Sequence, residues 1–244
     1  MNENPGNDPS LNFQRAFRVT SQSSPTTTVS YTGNLSAGAT IGIHWLGDGY
    51  TSSPPAATLP VVVEANTLID NGTAVWVHTD DLVPGPGGEP TRMSKAMLRF
   101  NRLAGNPVGV RSDDAEVTAE DNWWGCSDGP GAGGCDSAVY SGSEGFLDPD
   151  PWLVLDATAA PDVIPVMGQS VATASLRLNS DGIDTSGDGA IPDDTPVDFS
   201  ATGGTVDPTA TGTILGQAIS TYTAGAAPGE FDVSAAVDFA AASV

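Results

Sequence analysis

Short runs in which apolar and polar residues alternate recur through the first half of the chain. Each run follows an asparagine and a glycine-containing turn, and the runs occupy residues 41–43, 75–77 and 108–110. Alternation with a period of two is typical of β-strands that bury one face. The preceding asparagines are Asn34, Asn66 and Asn101, which are 32 and 35 residues apart. A fourth, shorter turn at residues 117–125 contains Asn122, 21 residues after Asn101.

A repeat of this length predicts a solenoid in which each coil supplies two or three short strands. One coil cannot cover its own apolar face, so the coils stack. Stacking would let equivalent asparagine side chains hydrogen-bond to one another along the stack. The proline-rich residues 51–59 and 80–91 are interpreted as loops that leave the coils, because proline cannot donate to a central ladder. The alternative is a β-sandwich built from three similar hairpins.

The end of the first half carries a more specific motif. It reads Asn122-Trp123-Trp124-Gly-Cys, then Gly-Pro at 129–130, then Pro-Trp152-Leu. This order resembles the closing turn of right-handed parallel β-helix domains in large secreted or surface proteins. The resemblance implies that residues 1–155 are β-helix coils with a tryptophan-rich C-terminal cap formed by Asn122, Trp123, Trp124 and Trp152. Paired tryptophans could instead form a platform on which a sugar stacks.

Longer alternating strands follow, at residues 172–178, 197–201 and 231–239. In the last run Asp232 and Asp238 fall on the polar face, which predicts that both are exposed. Turn signals separate the strands at the spacing of an antiparallel sandwich. Residues 163–240 resemble bacterial immunoglobulin-like domains of the invasin and intimin type. The resemblance implies that residues 156–244 form such a β-sandwich, a spacer or adhesive module without an active site.

The net charge of the chain limits the classes of molecule that it can bind. Thirty Asp and Glu against eight Lys and Arg give a net charge of −22. Nucleic acid is excluded because phosphate binding needs basic residues, and an anionic membrane surface is disfavoured. No apolar run approaches the ~18 residues of a membrane span.

The two cysteines, Cys126 and Cys135, lie nine residues apart in a glycine-rich loop. Zinc would need further ligands, and His44 and His78 stand alone in strand-like runs, where each is interpreted as a satisfied strand residue. A local disulfide is therefore predicted, which indicates an oxidising, extracytoplasmic compartment.

One segment has the pattern of a calcium loop. Asp184, Ser186 and Asp188 take the first, third and fifth positions of an EF-hand-like loop, with glycine at the sixth, but Thr195 replaces the bidentate Glu at the twelfth. The predicted calcium ligands are Asp181, Asp184, Ser186, Asp188, Asp193 and Asp194. A plain solvated turn explains the same residues.

The residues favour a non-catalytic structural or adhesive portion of an extracellular or cell-surface protein, such as a stalk or a filament building block. Expected partners are further copies, neighbouring surface-protein domains or polysaccharide. The alternative is a β-helix lyase or hydrolase acting on polysaccharide, with an appended immunoglobulin-like spacer. Its acids would come from Asp70, Asp80, Asp81, Asp113, Asp114, Glu116, Glu120 and Asp121, and its base from Arg99, Arg102 or Arg111.

Overall fold

The structure is a computed structural model that describes residues 15–21, 29–48, 60–80 and 93–244, and all of its regular elements are β-strands. The predicted loop at 51–59 lies outside the described residues, as does the loop predicted at 80–91 except for Asp80, which is the last residue of a strand. Thirteen strands are described up to residue 148: β1 Arg15–Ser21, β2 Ser30–Thr32, β3 Leu35–Ala37, β4 Ile41–Asp48, β5 Val61–Glu64, β6 Thr67–Ile69, β7 Thr73–Asp80, β8 Lys95–Arg99, β9 Arg102–Ala104, β10 Val108–Asp113, β11 Glu116–Thr118, β12 Ala138–Ser141 and β13 Phe146–Asp148. Eight more follow: β14 Leu153–Ala160, β15 Gln169–Asn179, β16 Pro196–Ala201, β17 Thr205–Asp207, β18 Ala210–Gly212, β19 Gln217–Thr223, β20 Val233–Val237 and β21 Ala240–Ser243.

The first thirteen strands form three parallel sheets. The strand orders are β1-β4-β7-β10-β12, β2-β5-β8-β11-β13 and β3-β6-β9, so strands that come three elements apart in the chain are usually neighbours in space. Hairpins would pair antiparallel, and every ladder among these strands is parallel. The three-hairpin sandwich is therefore wrong for this half, and the strand order is compatible with stacked repeats.

The register of the sheets explains the repeated apolar positions. Ile43 pairs with Val75, and Val75 pairs with Val110, each on the neighbouring strand. All three side chains are buried in one core together with Leu68 and Trp124. The apolar residue that recurs in each repeat thus stacks on its equivalent in the next, which removes the whole column from water.

A ladder of asparagines runs across these sheets, and it contains the predicted hydrogen bonds between equivalent asparagine side chains. The backbone N–H groups of Asn34, Asn66 and Asn101 donate to the Oδ1 atoms of Asn66, Asn101 and Asn122 at 2.8, 3.0 and 3.0 Å. The side-chain amides of the same three residues donate to the same oxygens. Each rung gives a hydrogen-bond partner to polar groups at a turn, where burial would leave them without water.

A second ladder, which the repeat pattern did not predict, joins Asn71 to Asn106 and Asn106 to Asp136. The backbone N–H of Asn71 donates to Asn106 Oδ1 at 2.8 Å, and that of Asn106 donates to Asp136 Oδ1 at 2.8 Å. The Asn106 side-chain amide donates to the other carboxyl oxygen of Asp136. This ladder ends on a carboxyl group that is 2 % exposed.

The last eight strands form two antiparallel sheets of order β14-β15-β19-β17 and β18-β16-β20-β21. A second core lies between them and includes Leu176, Val197, Phe199, Tyr222 and Val233. The change from parallel to antiparallel pairing falls between β13 and β14, close to the predicted domain boundary at 155/156.

One prediction in this half is wrong. The strand expected at 231–239 is shorter at both ends, since β20 spans Val233–Val237, and Asp238 and Phe239 form the two-residue turn between β20 and β21. The Asp238 side chain is only 9 % exposed, because it is covered by residues of the parallel unit.

Candidate functional site

The two adjacent tryptophans of the sequence motif belong to different cores. Trp124 packs with the core of the parallel unit, whereas Trp123 packs with the core of the antiparallel unit, and both are fully buried. Neither ring has a face open to a sugar. The pair therefore lies where the two cores meet, and the cap formed by Asn122, Trp123, Trp124 and Trp152 stays a prediction.

Asp238 is the polar centre of this junction. Its carboxylate accepts hydrogen bonds from Trp123 Nε1 at 2.8 Å and from Arg102 Nε at 3.1 Å, and it also pairs with Arg102 Nη2. The next residue, Phe239, donates its backbone N–H to the Gly125 carbonyl at 2.9 Å. The β20–β21 turn is therefore fixed to the parallel unit through side-chain and backbone contacts.

Further contacts surround this pair. Asn179, at the end of β15, donates to Asp121 Oδ1 at 3.0 Å. Phe100 follows β8 of the parallel unit, and its side chain packs in the second core. A Cβ on Gly189 would lie 2.5 Å from the Phe100 ring, so only glycine permits this contact.

The predicted disulfide is present between Cys126 and Cys135, whose Cα atoms lie 5.2 Å apart. Its loop supports the first residues of the antiparallel unit. Trp152 Nε1 donates to the Ser127 carbonyl at 2.9 Å, and the Ser127 hydroxyl accepts from the Leu155 N–H at 3.1 Å. The loop thus holds the chain where the two units meet.

A cluster of aromatic and charged side chains lies on the outward face of the first parallel sheet. Residues 44, 76 and 111 occupy equivalent positions on β4, β7 and β10. The rings of His44 and Trp76 stack with centroids 4.7 Å apart, and His78 stacks on Trp76 at 5.7 Å. The Arg111 guanidinium lies 4.9 Å from the Trp76 ring centre. The same 32- and 35-residue spacing that revealed the asparagines relates these residues, and this signal could have found them.

His44 is buried, and neither of its ring nitrogens has a hydrogen-bond partner in the described part of the chain. Burial and the nearby Arg15, Arg18 and His78 lower its pKa to about 4, against the opposing effect of Asp113. Its interpretation as a lone, satisfied strand residue is therefore wrong, since it is a neutral, unpaired imidazole within a stack.

Most of the described acids and bases considered for catalysis form hydrogen bonds or ion pairs within the protein. Asp113 accepts hydrogen bonds from Trp76 Nε1 at 2.8 Å and from Arg111 Nε at 2.9 Å. Asp114 caps the 143–144 turn through two backbone N–H groups. Other pairings are Lys95–Glu116, Arg99–Glu64 and Arg102–Asp238. Burial, with Asp148 and Asp121 nearby, raises the pKa of Glu120. Asp81 and the side chain of Asp80 lie outside the described part of the chain.

The predicted calcium loop is built into the second unit by packing. Ile191 is buried in its core, and Asp193 accepts a hydrogen bond from the Leu215 N–H at 2.7 Å. Hydrogen bonds from Ser186 lower the pKa of Asp184. Across the described ranges, no three His, Cys, Asp or Glu side chains come together as metal ligands. Calcium at Asp181, Asp184, Ser186, Asp188, Asp193 and Asp194 stays a prediction.

Comparisons of the chain with protein-family models, with curated proteins and with solved structures gave no significant match. Within the described ranges, no helix is long and apolar enough to cross a membrane.

Proposed function

We propose that this chain is a non-catalytic structural or adhesive portion of an extracellular protein, in which two β units act as one stiff rod. The observation that carries this proposal is the division of Trp123 and Trp124 between the two cores. Units joined by a flexible linker would be free to reorient, whereas a buried junction couples them.

The fold assignments belong to the same proposal. The strand order of the parallel sheets supports a right-handed parallel β-helix, since parallel crossovers are almost always right-handed. Taking β14, β15, β16, β17, β19, β20 and β21 as strands A to G, the two sheets have the A-B-E-D and C-F-G orders of an immunoglobulin fold, and β18 is an additional edge strand. The disulfide supports an oxidising, extracellular location.

The charge distribution at the junction supports a mechanical role. The side chains of Arg102 and Asp238 are 14 % and 9 % exposed, so truncating either one leaves a nearly buried charge without its partner. Breaking such a pair typically costs about 3–5 kcal/mol. Forces that separate the two units act directly on this pair and on the Phe239 backbone hydrogen bond.

The test compares the full chain with Asp238→Ala and with Asp232→Ala, an exposed aspartate six residues earlier. Small-angle scattering should fit a single elongated conformation for the wild-type chain and for Asp232→Ala. Asp238→Ala should give a broader distance distribution, which reports bending at the junction. A wild-type ensemble that already samples many inter-unit angles would overturn the stiff-rod proposal.

The catalytic alternative is tested separately. The chain is incubated with a panel of neutral and acidic polysaccharides, and reducing ends and the absorbance of unsaturated products are measured. We expect no product, because Asp113 and Arg111 are held by each other and by Trp76. Turnover of any polymer, lost in Asp113→Asn, would replace the structural proposal by the enzymatic one.

A further inference from the structure

Two large apolar side chains lie on the outer face of the sheet β14-β15-β19-β17. Val171 on β15 and Ile219 on β19 are 46 % and 57 % exposed, while the alternate residues of both strands are buried. Val171 pairs with Thr221, and Ile219 pairs with Thr173, so the four side chains form one continuous patch. Uncharged, β-branched side chains on a pleated surface are suited to packing against a second sheet.

The charged groups of this outer face lie toward its two ends. Among its described outward side chains, those that carry charge are Asp156 and Arg177 near the junction and Asp207 at the other end. The central patch is therefore neutral on a chain whose net charge is −22. Because like charges repel, two copies of the chain approach each other at lower cost through a neutral patch than through acidic loops.

The turn that leads into β19 extends the outer face and is apolar where such turns are usually polar. Ile214 and Gln217 exchange backbone hydrogen bonds at 2.7 and 3.1 Å, and Leu215 and Gly216 between them have φ angles of +50° and +76°. A two-residue turn with two positive φ angles strongly prefers Asn-Gly. Here Ile214 and Leu215 are instead 69 % and 62 % exposed, and the leucine backbone is strained.

Charged side chains hold this turn in place. Arg177 Nε donates to the Leu215 carbonyl at 2.7 Å, and the Leu215 N–H donates to Asp193 Oδ1 at 2.7 Å. A Cβ on Gly216 would lie 3.5 Å from Arg177 Cγ, so the turn borders an outward side chain of β15. The backbone of the turn is thus fixed before any contact forms, which lowers the entropy lost when its side chains are covered.

We propose that two copies of the chain pair through this outer face and the adjoining turn as a two-fold dimer. An axis perpendicular to the sheet, close to the paired residues Thr173 and Ile219, lays β15 of each copy over β19 of the other. Arg177 lies toward one end of β15, and Asp207 pairs with Thr221 toward the other end of the face. The rotation therefore brings Arg177 of each copy to the Asp207 end of the other, so each arginine faces carboxylates rather than its own equivalent.

The size of the outer face sets the expected affinity. With strands about 4.8 Å apart and a rise of about 3.3 Å per residue, the four strands present a flat area of roughly 500 Å². Standard interfaces bury about 800 Å² per partner, so this dimer is weak, with a Kd of roughly 10–500 µM. Repulsion between two chains of net charge −22 opposes pairing, and salt screens it. Dimerisation should therefore strengthen roughly tenfold between about 0.05 and 1 M NaCl.

This dimer goes beyond the proposed function and does not depend on it. A chain with a flexible junction would still pair through its antiparallel unit, and a stiff rod without this contact would stay a monomer. Scattering at low concentration measures the stiffness of the monomer, whereas sedimentation measures the pairing. The two proposals can therefore fail separately.

The experiment measures sedimentation velocity and ¹⁵N amide shifts of the full chain from about 5 µM to about 1 mM, at low and at high NaCl. We expect a monomer–dimer equilibrium that shifts toward the dimer at high salt. Amide resonances of residues 171–175 and 214–221 should move with concentration, because these residues lie on the outer face and its turn.

Two variants test the contact without relying on a loss of fold. Ile219→Lys should abolish the dimer, because two ammonium groups would meet close to the axis. Leu215→Asn should weaken the dimer at least threefold and leave the Tm equal or higher, since asparagine suits the strained turn. Leu35→Lys makes the same charge change at a leucine of the parallel unit that is 67 % exposed, and it should leave the Kd unchanged.

Three results would overturn the proposal. The first is a wild-type chain that stays a monomer at about 1 mM in both salts. The second is an Ile219→Lys variant that folds and dimerises as tightly as wild type. The third is a set of concentration-dependent shifts that map outside the outer face and its turn.

Discussion

Asp136 gives the sharpest test of how the buried ladders stabilise the parallel unit. It ends the second ladder, lies beside the Trp124 carbonyl that accepts its own N–H at 2.9 Å, and is 2 % exposed. Burial raises the pKa of its carboxyl from 3.8 to about 7, against the hydrogen bonds from Asn106, which lower it. The perturbation is Asp136→Asn, which removes the titrating group and keeps the shape.

The sign of the effect follows from the two pKa values. In the unfolded chain the carboxyl ionises near 3.8, whereas in the folded chain it stays protonated until about pH 7. Stability contributed by the neutral carboxyl is therefore complete below pH 3.8 and is lost as the pH rises through about 7. A difference of about three pKa units corresponds to roughly 4 kcal/mol.

The substitution should preserve the ladder. In the first ladder a single amide oxygen, Asn122 Oδ1, accepts from both the backbone and the side-chain N–H groups of Asn101 at 3.0 and 2.8 Å. An amide at position 136 can accept from Asn106 in the same way. Asp136→Asn should therefore change stability little at pH 4 and increase it at pH 8.5, by up to roughly 4 kcal/mol.

The assay is urea unfolding of wild type and variant between pH 4 and 8.5, with the disulfide intact and in 0.5 M NaCl to screen surface charge. Asp198→Asn, which removes the same charge from an exposed strand position, is the matched control and should show a flat difference. A flat wild-type-to-variant difference for Asp136→Asn would refute the raised pKa. Lower stability of the variant at pH 8.5 would show that the ionised carboxylate stabilises the fold.

Three further predictions concern packing, the disulfide and charge. Gly189→Ala should destabilise the chain by about 2 kcal/mol in urea unfolding, since its Cβ would lie 2.5 Å from the Phe100 ring, whereas Gly187→Ala meets nothing within 4 Å and should be near neutral. Cys126→Ser should lower stability by roughly 2–3 kcal/mol, and a reductant should lower the Tm of wild type but not of the variant. With a net charge of −22, the Tm should rise with NaCl or calcium, and a Tm that responds to neither would contradict a surface adapted to counterions.

The repeats show which contacts between coils can be predicted from residue spacing. The spacing of Asn34, Asn66, Asn101 and Asn122 predicted a ladder that the structure contains, because a fixed period along the chain becomes a fixed position in a stack. His44, Trp76 and Arg111 have the same spacing and stack on the outward face of the sheet. Because the three residues differ in type, their spacing does not appear as a repeat in the sequence. A column of identical residues is visible in a sequence, whereas a column of different planar groups is visible only in space.

The surroundings of the Trp123-Trp124 pair and of Asp238 cannot be predicted from local sequence patterns. The motif predicts one cap that contains both rings, and the structure adds that Trp124 packs in the first core and Trp123 in the second. Alternation with Val237 predicts that Asp238 lies on an exposed strand face, whereas its carboxylate is covered by Arg102, which lies 136 residues earlier in the chain.

By itself, the sequence determined the all-β composition, the repeat of the first half, the disulfide and the acidic surface, because each depends on residue type and spacing alone. The tertiary structure decided which face of the chain meets another element: it buries Asp136, covers the side chain of Asp238, and divides two tryptophans between two cores. These features depend on contacts between residues far apart in the chain, and burial is a property of such contacts rather than of any residue or its neighbours.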